Sequence, residues 1–213
     1  MDTLVKRLTF KSKDLGVDVD LLLTFDEQPD VKVFKDYYPS AFAVRRFGAE
    51  GAYRSEVIYQ SPFAFTKVRL SSGDIQSVAE VAMQPGQTTT LTKEGDIYHF
   101  SDPKIDPSVK SIQCLNDAPS KEDIGFGFIG RDGDRAKTAL VWLGVGHEQK
   151  VNVGVFQPVL RGYNGTGYKE NSLIKSRVET NCLFRQDLTA LEDDTTWSIT
   201  YDPSTDVVSI NQI

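Results

Sequence analysis

The chain holds only two histidines, and their positions decide whether imidazole-based metal or acid–base chemistry is open to it. His147 lies in the short polar piece Gly146-His147-Glu148-Gln149-Lys150, between two apolar runs that have the pattern of hairpin arms. His99 lies in the alternating segment Ile97-Tyr98-His99-Phe100. A zinc site built on histidine needs two or three imidazoles at one place, and nothing in this spacing brings the two together. We predict that His147 is an exposed turn residue and His99 a partly buried strand residue, and we expect no metal or other cofactor.

Motifs for nucleophilic catalysis and phosphate binding are missing as well. The sequence has no GxSxG serine elbow, no GxxxxGK[ST] phosphate loop and no GxGxxG turn between a strand and a helix. Gly125-Phe126-Gly127-Phe128 is typical of close strand packing rather than of a nucleotide site. Cys114 and Cys182 are in no CxxC spacing, and we interpret them as two reduced core thiols, with one disulfide between them as the alternative.

Carboxylates are the remaining route to enzymatic chemistry. Asp18 and Asp20 lie on one face of a predicted strand, with Cα atoms roughly 7 Å apart, inside the broad range that glycoside hydrolysis uses. Asp132-Gly133-Asp134 could offer oxygens to calcium, but Arg135 and Lys137 follow where an EF-hand loop has further acidic ligands. We expect Asp18 and Asp20 to lie on a solvent-exposed face of a strand, and Asp132-Gly133-Asp134 to form a plain turn.

Tyrosines mixed with polar residues in loops are the best candidates for a binding site. The pieces Asp36-Tyr37-Tyr38-Pro39 and Tyr163-Asn164-Gly165-Thr166-Gly167-Tyr168 have this make-up. Aromatic rings offer flat apolar faces to sugar C–H groups, while Arg, Asp and Asn side chains hydrogen-bond hydroxyls. Loops at the end of a β-sandwich are common ligand sites. The predicted ligand-binding residues are Asp36, Tyr37, Tyr38, Arg45, Tyr163, Asn164 and Tyr168.

Strands are the elements that must position these residues. Val17 to Phe25 alternates apolar and polar side chains, the period-two pattern of a strand with one wet face. About a dozen such segments are separated by turn signals, as in an antiparallel sandwich or barrel. The sequence predicts hairpins for the segment pairs 41–47 with 53–59, 77–83 with 88–92, 88–92 with 97–100, 139–145 with 151–155, and 196–201 with 206–210.

The fold prediction is a single β-sandwich domain over residues 1–213, mostly antiparallel, of Ig-like or jelly-roll type, with little helix. Leu183 to Leu191 is the most plausible helical turn. The irregular, proline-containing stretch from Ser101 to Lys121 is the candidate for an internal boundary near 101–121, and two small β subdomains are the alternative.

Composition and net charge limit the kinds of partner that the protein is expected to bind. Hydrophobic residues make up 39% and charged residues 25% of the chain, which is ordinary globular composition. The net charge of -6 repels phosphate backbones, so we expect no nucleic-acid partner. No apolar run suits a signal peptide or reaches the roughly 18 residues of a membrane span. We therefore expect no transmembrane segment, and a cytoplasmic protein or one released without a signal peptide.

These observations favour a non-enzymatic binding protein with lectin-like recognition of a glycan, or of another small polar ligand, through aromatic loop residues. One alternative is a carboxylate-based glycan-active enzyme, which would show two acids facing each other in a cleft with one pKa raised. The other is a self-associating or membrane-active interaction protein, which would expose an apolar patch well above a few hundred Å². A homo-oligomer stays open.

Overall fold

The protein is built almost entirely from strands. The computed structural model describes residues 4–29, 31–60, 62–129, 135–165 and 167–213. These ranges contain eighteen strands, one short 3-10 helix and no α-helix. The strands in chain order are β1 (Val5–Lys13), β2 (Val19–Phe25), β3 (Tyr38–Pro39), β4 (Ala43–Phe47), β5 (Ala52–Gln60), β6 (Phe63–Ser71), β7 (Asp74–Met83), β8 (Gln87–Glu94), β9 (Ile97–Phe100), β10 (Lys104–Ile105), β11 (Ile112–Asn116), β12 (Glu122–Phe128), β13 (Lys137–Val145), β14 (Lys150–Val153), β15 (Val159–Asn164), β16 (Cys182–Asp187), β17 (Asp194–Asp202) and β18 (Val207–Gln212), and the 3-10 helix is Leu188–Ala190.

In the described part of the chain the strands form four sheets. Their orders are β18-β17-β1-β5, β3-β13-β12-β6-β7, β16-β15-β2-β4, and β10-β8-β11-β14 with β9 also paired to β8. Most neighbours are antiparallel, while β1 with β17 and β8 with β11 are parallel. The sheets pack together, which confirms the predicted β-sandwich-type fold with little helix.

Burial follows from the position of each strand in its sheet. In β17 the side chains of Thr195, Trp197 and Ile199 are buried and those between them are more exposed, as expected for a strand with one covered face. In β2 the run Leu21–Leu23 is buried on both faces. One face meets the main core, and the other meets Ile174 in the segment that follows β15. That covering segment also forms one wall of the candidate site.

Aromatic rings join three of the sheets in the core. Phe25 of β2 lies 4.9 Å from Phe42 and 5.1 Å from Phe128 of β12, between ring centres. Tyr59 of β5 lies 4.8 Å from the same Phe128. The largest apolar cluster runs from Leu8 near the beginning of the chain to Ile210 near its end. The division of the chain into domains stays a prediction.

Three predicted hairpins are wrong, because their arms belong to different sheets. β4 and β5, β7 and β8, and β13 and β14 are consecutive strands, but none of these pairs is hydrogen-bonded as a ladder. The turns themselves are present: Gly86 has φ +81° and Gln87 N donates to Gln84 O at 3.1 Å. Each of these turns carries the chain from one sheet to another. The hairpins β8–β9 and β17–β18 are confirmed.

The helical turn predicted over Leu183 to Leu191 is also corrected. Residues up to Asp187 continue β16, where Phe184 is buried opposite Gly162 of β15. Only Leu188–Ala190 is helical, and Asp187 caps it by accepting a hydrogen bond from Thr189 N. The predicted irregular stretch 101–121 contains the two strands β10 and β11. Within the described residues, no helix combines the length and the apolar character needed to cross a membrane.

Candidate functional site

One recess is polar, and we call it the Lys137 recess after a lysine in its wall. It has a volume of about 690 Å³, and Ser77, Arg135 and Glu170 contribute to its wall. Lys137 Nζ lies 2.7 Å from Glu170 Oε1, and burial lowers the pKa of this lysine. Burial would raise the pKa of Glu170, but hydrogen bonds from Lys137 and from Arg45 outweigh it and lower that pKa. No aromatic ring lines the described wall, so this recess lacks the feature that favours a sugar.

A second recess is apolar. It has a volume of about 510 Å³, and its wall includes Tyr59, Phe63, Met83 and Phe156. No charged side chain lies in its described wall. Such a surface offers few groups that could orient a polar ligand.

The third recess combines aromatic rings with charged groups. It has a volume of about 360 Å³, within the range of small-molecule pockets. The end of β2, the loop before β3, strand β15 and residues 174–178 form its wall. We call it the Arg161 cleft, and its chemically distinctive residues are Asp26, Glu27, Phe34, Arg161, Tyr163 and Arg177.

A buried carboxylate shared by two guanidinium groups forms one side of the Arg161 cleft. Asp26 is 6% exposed. Its Oδ1 lies 2.6 Å from Nη2 of Arg161, and its Oδ2 lies 2.9 Å from Nε of Arg185. Asp26 Oδ1 also accepts a hydrogen bond from the backbone N of Glu27 at 2.7 Å. Because both carboxylate oxygens have protein partners, Asp26 positions the arginines rather than offering a free acceptor.

Arg161 itself is only partly satisfied. Its Nε is buried and has no hydrogen-bond partner among the described residues. Burial would lower the pKa of Arg161, but interaction with Tyr163 and the charge of Asp26 outweigh it and raise that pKa. The guanidinium is therefore a fixed positive charge that Asp26 holds through Nη2, while its Nε is enclosed in the protein without an acceptor among the described residues.

Phe34 stands at the cleft in an unfavourable backbone conformation. Its φ is +61°, a left-handed value that is costly for a bulky side chain. The turn around it holds this conformation, since Phe34 N donates to Tyr37 O at 2.8 Å. The Phe34 ring is partly exposed and meets the edge of the Tyr38 ring, with centres 6.4 Å apart.

Two residues predicted to bind ligand have structural roles in the turn before β3. Tyr37 is 1% exposed, packs against Trp142 and accepts a hydrogen bond from Gln28 N at 3.0 Å. Burial raises its pKa. Asp36 is exposed, but its Oδ2 accepts from Lys32 N at 2.8 Å and closes the turn. The prediction for Tyr37 is corrected, because its ring has no free face for a ligand.

The other predicted site residues are distributed around the cleft. Tyr163 lines it, whereas Tyr38 lies outside its wall and packs against the ring of Phe34. Tyr168 packs partly buried on the small cluster that contains Ile174. Asn164 accepts a hydrogen bond from Asp20 N at 3.3 Å, and Arg45 forms an ion pair with Glu170 beside the Lys137 recess. Of the seven residues predicted to bind ligand, only Tyr163 lies in the wall of the cleft. The seven are Asp36, Tyr37, Tyr38, Arg45, Tyr163, Asn164 and Tyr168.

The sequence analysis missed the charged residues of the cleft. Asp26 directly follows the apolar strand β2, and Arg161 interrupts the otherwise apolar start of β15. A charge at the end of, or inside, a buried strand is a usable signal, because such a charge needs a partner. The pairing of β2 with β15 supplies that partner and places Arg161 opposite Thr24.

The remaining candidates for chemistry are not assembled into a site. His147 is exposed, as predicted, with Nδ1 3.0 Å from Ala118 O, whereas His99 is exposed rather than partly buried. Asp18 forms an ion pair with Arg46, with 2.9 Å between Oδ2 and Nη2. The described residues contain no group of three or more His, Cys, Asp and Glu side chains placed to hold a metal. The stretch Asp132-Gly133-Asp134, for which a turn was predicted, and Thr166 lie outside the described residues.

Comparison of the chain with protein-family models, with curated proteins and with solved structures finds no match. A function must therefore be inferred from the β-sandwich-type fold and from the Arg161 cleft.

Proposed function

We propose that this chain is a carbohydrate-binding protein and that the Arg161 cleft is its binding site. The observation that carries the proposal is the joint presence of two partly exposed rings, Phe34 and Tyr163, with charged groups in one recess of about 360 Å³. Rings can cover the C–H face of a sugar while the polar groups bind its hydroxyls.

The conformation of Phe34 supports a role for this ring. A bulky residue at φ +61° costs free energy, and such strain persists where the surrounding structure enforces it, often at a ligand site. The strained turn places an aromatic side chain that lines the cleft and also packs on the small apolar cluster of Leu22, Ala41 and Ile174.

The direction of the carboxyl pKa shifts favours a binding function over a catalytic one. A glycan hydrolase needs one acid with a raised pKa. Among the described carboxyls whose pKa departs from the ordinary value, those of Asp18, Asp106, Glu122, Glu170 and Asp202 are all lowered. The catalytic and the self-associating alternatives stay predictions.

The test is a broad glycan array probed with the full chain and with single variants. Tyr163→Ala removes a ring from the cleft, while Tyr53→Ala removes a tyrosine that is 41% exposed on β5 and serves as the matched control. We expect selective glycan binding that Tyr163→Ala abolishes and Tyr53→Ala retains, with circular dichroism confirming that both variants are folded.

Two outcomes would contradict the proposal. Silence of the wild-type chain across the array would remove carbohydrate recognition as its function. Binding that survives Tyr163→Ala unchanged would show that any glycan site lies elsewhere on the molecule.

A further inference from the structure

We propose that the apolar recess is a second binding site, one for a neutral aromatic molecule that carries a single hydroxyl group. We call it the Tyr59 recess, after a tyrosine in its wall. Its described wall shares no residue with that of the Arg161 cleft, so this inference goes beyond the proposed function and does not depend on it.

The wall of the Tyr59 recess offers aromatic surface without charge. The rings of Tyr59, Phe63 and Phe156 and the thioether of Met83 contribute to a recess of about 510 Å³, a volume within the range of small-molecule pockets. No charged side chain lies in the described wall. A charged group placed there would lose hydration without gaining an opposite charge, so the ligand that fits is uncharged.

Prolines lower the hydrogen-bonding capacity of this wall further. Proline has no backbone N–H, so each one adds apolar surface and no donor. The carbonyls of two of them are already used, since Pro62 O accepts from Ile129 N at 3.0 Å and Pro158 O accepts from Leu188 N at 3.0 Å. The prolines in the described wall are Pro62, Pro85, Pro103 and Pro158.

The hydroxyl of Tyr59 is the polar group that the recess offers to a ligand. Tyr59 is 2% exposed, burial raises its pKa, and its hydroxyl makes no hydrogen bond to a described residue. In the described part of the chain, the fully enclosed side-chain N and O atoms without a partner are Ser12 Oγ and Arg161 Nε. The Tyr59 oxygen is not among them, so it reaches accessible space, and the space beside this residue is the recess. A ligand hydroxyl can donate to this oxygen or accept from it.

The composition of the wall favours an aromatic ligand over an aliphatic one. Phe63 and Phe156 already pack edge to face, with ring centres 6.1 Å apart and planes at 69°. A further ring gains contacts of this kind in addition to burial, and it also gains a sulfur–ring contact with Met83. A saturated ligand of the same shape gains burial alone.

The experiment uses the methyl group of Met83 as its reporter. The chain has two methionines, Met1 and Met83, so labelling with methyl-13C methionine places one NMR signal in the wall of the recess, and Met83→Leu assigns it. The full chain is titrated at neutral pH with 2-naphthol and with three relatives. Decahydro-2-naphthol is saturated, naphthalene lacks the hydroxyl, and 2-naphthoate is charged.

We expect 2-naphthol to shift the Met83 signal saturably. One hydrogen bond to Tyr59 corresponds to about fivefold in affinity, so naphthalene should bind about fivefold more weakly. Loss of the ring contacts should weaken decahydro-2-naphthol about threefold or more. The charge of 2-naphthoate should weaken binding at least about tenfold.

Variants locate the effect on the recess. Tyr59→Phe keeps the ring and removes only the hydroxyl, so we expect 2-naphthol and naphthalene to bind equally while the fold is retained. Phe63→Leu keeps an apolar side chain and removes a ring, and it should reduce the preference for 2-naphthol over decahydro-2-naphthol. Tyr53→Phe, at a tyrosine that is 41% exposed on the same strand β5, is the control and should leave all affinities unchanged.

Three results would overturn the inference. A Met83 signal that none of the four compounds shifts would remove the site. Binding of decahydro-2-naphthol as tight as that of 2-naphthol would overturn the aromatic class of ligand. A preference for 2-naphthol over naphthalene that survives Tyr59→Phe would overturn recognition through the tyrosine hydroxyl. Glycan binding in the Arg161 cleft is decided separately by the array.

Discussion

Lys67 and Glu122 form an ion pair in the interior, with Nζ 3.2 Å from Oε2 and side chains that are 8% and 5% exposed. The pair joins neighbouring strands β6 and β12, and further hydrogen bonds hold both partners. Lys67 Nζ donates to Val68 O at 2.6 Å, and Glu122 Oε1 accepts from Ser120 Oγ at 2.7 Å. Tyr98 of β9 adds a hydrogen bond to the same Oε1 at 3.3 Å.

Breaking this pair should be costly in a way that removing it altogether is not. Lys67→Met or Glu122→Leu alone leaves a buried charge without its partner, and we expect each to lower the free energy of unfolding by about 3–5 kcal/mol. The double variant should lose clearly less than the sum of the singles. Urea denaturation of all four proteins measures the cycle, and simple additivity would contradict the interpretation.

The exposed pair of Arg46 and Asp18 is the control for that cycle. The two side chains are 72% and 56% exposed, with Nη2 2.9 Å from Oδ2. Solvent weakens such a pair, so Arg46→Met should change the free energy of unfolding far less than either buried variant does.

Stability should fall in acid. Burial would raise the pKa of Glu122, but its hydrogen bonds from Ser120 and Lys67 outweigh burial and lower the folded-state pKa below the ordinary 4.5. The unfolded chain therefore takes up the proton first as the pH falls, and the stabilisation present above about pH 4.5 is lost below it. Urea midpoints measured from about pH 7 to about pH 3 should decline, with a shallower slope in Glu122→Gln. A midpoint that rises in acid would contradict the sign.

Gly127 should tolerate no side chain. A Cβ at this position would lie 2.0 Å from Lys137 O and 2.8 Å from Thr138 Cα, both in the backbone of β13. Gly127→Ala must move two paired strands, and we expect a loss of at least about 2–3 kcal/mol. Gly16→Ala is the comparison, since its Cβ would meet nothing within 4 Å and only its φ of +83° opposes alanine. We expect about 1 kcal/mol there, and equal losses at both sites would contradict the close contact.

At position 34, a glycine variant should be more stable than an alanine variant, which reverses the usual order. At φ +61° alanine is strained and glycine is not, so Phe34→Gly should be more stable than Phe34→Ala by about 1 kcal/mol, although both lose the same ring. Thermal or urea unfolding of the two variants gives the difference. An alanine variant as stable as the glycine variant would mean that the turn relaxes and that Phe34 is not held under strain. We expect neither variant to bind glycan.

The two thiols should react very differently. Cys182 is exposed, whereas Cys114 is fully buried and burial raises its pKa to about 12. A thiol reagent added to the folded chain should modify Cys182 quickly, and Cys114 only after a denaturant is added. Peptide mapping by mass spectrometry assigns each site. Rapid labelling of Cys114 in the folded protein would contradict its placement in the core, and the exposed position of Cys182 already corrects the prediction that both thiols are buried.

The sequence by itself determined the class of fold. Alternating side chains such as those of Thr195, Trp197 and Ile199 can bury one face only as a strand, so the period-two pattern predicts β structure wherever it occurs. Turn residues marked where the chain reverses, as at Gly86. The helical turn expected at Leu183 to Leu191 failed because pairing with β15 decided the state of those residues.

Only the tertiary structure decided which strands are neighbours, and with them the candidate site. A turn signal is the same whether the chain returns along its own sheet or crosses to another, so the predicted hairpin after Val145 became a crossing between two sheets. Tyr163 was predicted, but Asp26 and Arg161 were not. They meet because β2 lies beside β15. This pairing joins segments that are far apart in the sequence, so the alternation of apolar and polar residues within each strand does not encode it. Burial of the apolar faces that the two strands share selects it.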